Sequence, residues 1–207
     1  MAWESRWRGS NVARNKPVRT KSPAPGDPLE AAVHAFLQAL QRDPDADALR
    51  ETPARVAEAW RHFTQGYASS ARAVFAEGVF EDAYDGMVLV RDIEFFSVCE
   101  HHLVPFFGKC SVAYVPARRV AGLSKIARLV EVHARRLQVQ ERMTREIASD
   151  LNTHLKPRGV AVRVEARHLC MAMRGVEQTS SDVVTTQSLG VFKTDPAMAE
   201  EFRAALR

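Results

Sequence analysis

The segment FSVCEHHLVPFFG, Phe96 to Gly108, sets a cysteine and two adjacent histidines where an apolar, strand-like run breaks into a proline-containing turn. Cys99 and His102 have C-x-x-H spacing, which lets one turn of chain carry a thiolate and an imidazole to a single ion. Zinc takes such sulfur and nitrogen ligands tetrahedrally, but two of them make a poor site. Cys170, in RHLCM, is the distant candidate of the right type on a strand. With it the set becomes two cysteines and one histidine, leaving a fourth position for water, which is the ligand count of a catalytic site rather than a structural one. The competing reading is that these are free cysteines used for packing, as buried cysteines often are. Two more histidines favour the chemical reading. His168 stands two positions before Cys170, and on a strand such residues share a face, so both should point into one cavity. His101 must diverge from His102, which makes it an imidazole beside the metal, suited to moving a proton or orienting water.

A second group of residues is suited to anions. In GLSK, Ser124 is expected to cap a helix, with Lys125 in its first turn, where unpaired backbone N–H groups and the helix dipole favour negative charge. Arg128 follows one turn later, and Arg174, four residues past Cys170 and followed by Gly175, supplies another cation from the sheet side. Taken singly, each is also what a solvated surface carries. In QVQE, Glu141 offers a carboxylate that can accept two parallel hydrogen bonds from a planar donor edge such as N1–H and the 2-amino group of guanine. The plainer alternative is a solvated glutamate favoured by the dipole at a helix start.

The elements that must position these residues are legible in outline. Asp27-Pro28 reads as a helix N-cap followed by proline at the first helical position, with Val33, Phe36, Leu37 and Leu40 on one face. Thr52-Pro53 repeats the signal, with Val56, Trp60 and Phe63 as the stripe and Gly66 past the end. MVLVRDIEFFSV and GKCSVAYV are rich in β-branched and aromatic residues and are expected to pair as a hairpin. Ile126, Leu129, Val130 and Leu137 predict a helix opened by Ser124, and Val139, Met143, Ile147, Leu151 and Leu155 a second one stopped by KPRG. VAVRVEARHLCM and DVVTTQSLGVF read as strands, and DPAMAEEFRAAL as a closing helix. Paired strands around a helical pair predict an α+β fold with an antiparallel sheet, rather than alternating βαβ units.

Composition bounds the function. At 207 residues and 46% hydrophobic content the chain suffices for one well-buried core. No run approaches the roughly 18 apolar residues of a membrane-spanning helix, and the arginine-rich N-terminus lacks the apolar core of a secretory signal, so a cytoplasmic protein without membrane partners is expected. Three cysteines, Cys99, Cys110 and Cys170, do not form the framework of a small secreted domain. Residues 1–22 carry net +5 of a formal +4, so the body is near neutral and the basic character belongs to the tail. Residues 1–28 are expected to be a solvated, unstructured extension. A zinc-stabilised nucleic-acid module built on this tail would leave QVQE and the open metal position without a purpose, so nucleic acid is not an expected partner. A zinc deaminase would carry H-x-E with P-C-x-x-C, and neither occurs.

Taken in order, CEHHLVPFFGK, GLSKIARLVEVHARRLQVQERMT, RHLCMAMRGV and TTQSLGVF resemble GTP cyclohydrolase I, and ETPARVAEAW extends the resemblance so that it covers about residues 29–207. It implies a tunnelling fold, an antiparallel sheet packed with two long helices, over residues 87–207, with an N-terminal helical arm at 29–68. It further implies a homodecamer of two stacked pentamers with active sites between subunits, GTP as substrate, one zinc ion per subunit, and room for a feedback regulatory protein as partner. By position, the family's pattern makes Cys99, His102 and Cys170 the zinc ligands, His101 and His168 the catalytic histidines, and Ser124 an aid to opening the ribose. It makes Gln140 and Glu141 the guanine-recognising pair, Lys125, Arg128 and Arg174 the triphosphate contacts, and Arg55 a further contact from a neighbouring subunit. Pyruvoyl-tetrahydropterin synthase-like lyases and queuosine-pathway nitrile reductases, relatives in fold, resemble the chain less: the first bind zinc through three histidines, and the second use a cysteine nucleophile.

Overall fold

A computed structural model describes residues 26–207; the expectation for most of the basic tail therefore lies outside the described residues. The chain divides into two compact units between Ala59 and Trp60. In the first, α1 (Pro28–Ala39) starts as its sequence predicts, with Asp27 Oδ1 accepting from the Leu29 N–H at 3.0 Å. Its apolar stripe is nonetheless only partly covered, since none of its residues is fully buried and Phe36 is 61% exposed. Periodicity marks an apolar face without saying what covers it. α2 (Thr52–Phe63) crosses the division and takes Thr52 as its first residue rather than its cap. Arg55 lies on it, exposed and paired with Glu51 one turn back.

The second unit begins with the last turn of α2, followed by a 3-10 turn at Gln65–Ala68 and a short α3 (Ala71–Val74). Then come β1 (Val79–Glu81), β2 (Val88–Cys99), β3 (Pro105–Val115), β4 (Arg119–Ala121), α4 (Leu123–Ala134) and β5 (Leu137–Gln138). α5 (Gln140–Leu155), β6 (Gly159–His168), α6 (Leu169–Ala172), β7 (Val183–Gly190), α7 (Val191–Thr194) and α8 (Pro196–Ala205) complete it. β1 and β4 form a separate ladder, and the main sheet runs β5-β2-β3-β6-β7. The β2–β3 hairpin, β3–β6 and β6–β7 are antiparallel as expected, but β5 pairs parallel to β2, so the sheet is mixed. Leu137, expected on the α4 stripe, belongs to this two-residue strand. The helix ends at Ala134, and the chain turns back along β2 before α5 begins. That detour fixes the end of β2, because the Glu100 N–H donates to the Gln138 carbonyl at 3.1 Å just beyond Cys99.

α4 and α5 lie on one sheet face. Ile126, Leu129 and Val130 of the first and Met143, Ile147, Leu151 and Leu155 of the second are buried with Phe95, Phe106, Val112, Val162 and Val164. Each buried side chain of this size contributes about 1.5–3 kcal/mol. The opposite face carries a smaller cluster, where Phe192 and Phe202 meet edge to face at 5.9 Å over Ala113 and Ala161. Gly108 allows β3 and β6 to approach, since a Cβ there would stand 1.9 Å from the Glu165 carbonyl oxygen. The sheet thus brings the end of β2, the start of β3 and the end of β6 together at one end of its central strands, with Phe106 directly opposite His168.

Candidate metal centre

Cys99 is the last residue of β2, and the chain reverses over residues 100–104 into β3. The reversal is held by the Leu103 N–H donating to the Cys99 carbonyl at 2.8 Å and the Cys99 N–H to that of Val104 at 3.0 Å. Leu103 adopts φ +54° to complete it, a conformation that costs a leucine of order 1 kcal/mol and is typical of a constrained functional turn. Cys99 Sγ stands 3.7 Å from His102 Nδ1, and with Cys170 Sγ the three atoms lie within 4.8 Å of one another. Ligands at about 2.3 Å (sulfur) and 2.0–2.1 Å (nitrogen) from one tetrahedral ion stand about 3.6 Å apart. The donor set therefore fits a zinc-sized cation.

Cys170 arrives by a different route from the one its alternation suggested. β6 ends at His168, and Cys170 sits in the single turn of α6, so the two are not strand neighbours on one face. Leu169, Met171 and Ala172 are good helix formers, and the alternating pattern does not reveal where the strand stops. Burial, then the nearby Cys99 sulfur, push the Cys170 thiol's pKa up. Two thiolates this close oppose each other's ionisation, a conflict that a divalent cation relieves.

His168 is half-buried, its ring stacked on Phe106 at 4.6 Å and 5°. Its Nε2 lies 2.7 Å from Gln140 Oε1. Burial lowers its pKa, and the nearby Glu141 carboxylate partly offsets this. Glu141 itself is exposed in the first turn of α5. His101 is exposed, its ring edge-on to His102 at 6.3 Å. Arg174 Nη1 is 3.1 Å from His102 Nε2. Gln140, expected to recognise a base with Glu141, is 1% exposed, and its side-chain amide is engaged entirely within the protein. What Gln140 offers a ligand is its main-chain N–H, at the start of α5.

Ser124 is not the cap of α4. Gly122 occupies that position, and Ser124 is the exposed second helical residue. Lys125 and Arg128 line a cavity of about 570 Å³ with Gln65, Ser69, Glu131 and Arg135. None of the three sulfur and nitrogen ligands lines it, so within one chain these cations and the metal centre are not brought together.

One part of the site escaped the sequence. Arg142 donates to both carboxylate oxygens of Glu100, to Gln138 Oε1 at 3.0 Å and to the Leu137 carbonyl at 3.1 Å, clamping the metal turn to α5 and β5. Both residues sit in the quoted motifs, but nothing in their spacing pairs them. The bonded Arg142 guanidinium holds the Glu100 carboxyl below its usual pKa. A depressed carboxylate stabilises the fold above the unfolded-state value of about 4.3, and the contribution is lost as pH falls through the folded-state value. Glu100→Gln should therefore lower the urea midpoint at pH 7, and the gap to the parent should narrow as pH drops below about 4.3. A gap that stays constant to pH 3.5 would count against the clamp.

A family model described as GTP cyclohydrolase I matches residues 29–207. The protein named GTP cyclohydrolase 1 in Deinococcus radiodurans is 47% identical over 187 residues, covering 89% of this chain and 87% of that one. Those of Chlorobium chlorochromatii and Homo sapiens are 51% and 48% identical, covering 85% and 86% of this chain and 79% and 72% of theirs. Among solved structures, an archaeosine synthase QueF-Like in the apo form aligns with a TM-score of 0.41 and 17% identity, over 53% of this chain and 97% of that one, a likeness too weak to bear on the fold.

Proposed function

The chain belongs to the GTP cyclohydrolase I family, and we propose on that premise that it opens the guanine imidazole ring of GTP beside Cys99, His102 and Cys170. The products are formate and 7,8-dihydroneopterin triphosphate, and the reaction is the first step of folate and pterin synthesis. The observation that carries this reading is the convergence of the three ligand atoms within 4.8 Å, with a sulfur–nitrogen separation suited to one ion. Cys99, His102 and Cys170 would hold a zinc ion that lowers the pKa of a water toward about 7, which would make hydroxide available at neutral pH.

The protein's own groups do the rest. His168 handles the proton at N7 of the guanine, which makes C8 open to attack, and His101 serves the water or the leaving nitrogen. Glu141 accepts from the N1–H and 2-amino edge of the base, and the main-chain N–H of Gln140, at the start of α5, donates to the base's carbonyl oxygen. Ser124 assists opening of the ribose, which permits rearrangement of the sugar. Two waters enter, one in each hydrolysis, and one leaves when the second ring closes. Lys125, Arg128 and Arg174 hold the triphosphate, which takes no part in bond making, so that remote binding energy orients the base.

Because the cavity of Lys125 and Arg128 lacks the metal ligands, this reading gives those cations to the metal centre of an adjoining copy. Arg55 is likewise assigned to a neighbour's site. A tunnelling fold assembled as a decamer of two pentamers has such composite sites, and a feedback regulatory protein is a further partner this reading admits. We assign the enzyme to the cytoplasm, where its thiols stay reduced. Purified protein given GTP should release formate and a pterin that fluoresces after oxidation, stop with a chelator and recover with zinc. Absence of formate from the zinc-loaded protein would overturn the reading, and guanosine turned over as fast as GTP would remove the triphosphate role from Lys125, Arg128 and Arg174.

A further inference from the structure

The buried Gln140 amide has only one self-consistent orientation, and it dictates which nitrogen of His168 carries the proton. Gln140 Nε2 lies 3.2 Å from the Val164 carbonyl, 3.0 Å from the Val183 carbonyl and 3.2 Å from Thr185 Oγ1. Carbonyls only accept, so the amide nitrogen must face them, and turning the amide over would set its oxygen against two carbonyl oxygens. The hydroxyls agree. Thr144 Oγ1 donates to the Gln140 main-chain carbonyl at 2.8 Å, so at the 2.6 Å contact with Thr185 it accepts. The Thr185 hydroxyl proton is therefore directed at Thr144, and the Thr185 oxygen is free to accept from Gln140. The two hydrogens of the Gln140 amide nitrogen are shared among these three acceptors, and none of the three can donate to it.

Gln140 Oε1 is thereby turned outward to His168 Nε2 at 2.7 Å as an acceptor, and Nε2 must donate. Phe106, fully buried, holds one face of the imidazole at 4.6 Å and 5°, so the ring is constrained in plane and in rotation. Nδ1 has no partner among the described residues. We propose that Gln140 is a positioning residue that locks His168 as the Nε2–H tautomer and leaves Nδ1 as the one nitrogen able to exchange a proton with the purine. The side chain of Gln140 thus acts through His168 and not on the base. This rests on the reading of His168 as the proton carrier. Nδ1 takes a proton from solvent water and gives it to N7, where it stays as an N–H of the opened ring, while the attacking water returns its own proton to solvent, so hydrolysis supplies every atom.

The test is solid-state ¹⁵N NMR of the zinc-loaded enzyme labelled with [¹⁵N]histidine, with the His168 signals identified by their loss in His168→Ala. The wild type should show His168 protonated at Nε2 and bare at Nδ1. Gln140→Leu should mix the two tautomers and lower kcat roughly 10–100-fold, with KM for GTP changed less than about twofold. A wild-type His168 that is neutral and protonated at Nδ1 instead of Nε2 overturns the assignment without any Gln140 variant, even if Gln140→Leu fails to fold. So does an unchanged spectrum in Gln140→Leu, or a raised KM with kcat preserved, which would make Gln140 a base contact. Turnover by His168→Ala equal to the parent would instead remove the proton-carrier reading itself, a separate result from any of these.

Discussion

Cys170→Ala is expected to lose bound metal and to lower kcat/KM for GTP by about 10³ or more, several kcal/mol of transition-state stabilisation. The size follows from the ligand count. Three protein atoms converge within 4.8 Å, and removing one leaves the C-x-x-H pair, too few to retain an ion against dilution. Cys170 is also the one ligand borne beyond β6, so the remaining pair would no longer be tied to His168. Cys110→Ala is the matched control. That thiol is fully buried in the sheet, where desolvation pushes its pKa strongly upward, and it lies outside the ligand cluster. Its replacement should cost on the order of 1 kcal/mol of stability while metal content and turnover stay near the parent's. Elemental analysis beside a formate assay decides the matter; Cys170→Ala protein that keeps a full complement of zinc would remove Cys170 from the ligand set.

Glu141→Ala should lower kcat/KM for GTP by about 10²–10⁴ with metal content unchanged. Two hydrogen bonds to a charged acceptor, at roughly 1.5–3 kcal/mol each, set that range. Glu141 stands in the first turn of α5, exposed, and close enough to His168 for its charge to act on the imidazole. A base edge held by this carboxylate would therefore present its imidazole ring toward His168. Inosine triphosphate, which lacks the 2-amino group, gives the sharper readout. The parent should prefer GTP over it strongly, and Glu141→Ala should treat the two nearly alike. If the variant keeps the parent's preference, guanine is read elsewhere.

The chemistry of the centre was more legible than its geometry. Cys99 and His102 announce themselves because a four-residue turn is a local object, and local spacing is what a sequence displays. Cys170 was recoverable from its type, but the path to it was not. Alternation in VAVRVEARHLC carries past His168, where the strand has already given way to a helical turn. The cores of α4 and α5 follow from their apolar spacing, whereas β5 does not, because two residues are too short to show a period. Ser124 looked like a cap because serine often is one, but Gly122 takes that place as the chain leaves β4. The orientation of Gln140 was beyond reach, since the carbonyls that decide it belong to Val164 and Val183 on other strands. The Arg142–Glu100 clamp was hidden for the same reason.

The order of the strands also dictates when the ion can enter. Cys99 ends β2 and Cys170 follows β6, with β3 between them, so the pocket does not exist until three strands are in register. In small zinc modules the ion nucleates the fold, because their ligands are neighbours in an otherwise coreless chain. Here a hydrophobic interior of two helices against the sheet is complete without it. An ion held by these three residues would accordingly be captured late, after the scaffold that carries them has formed.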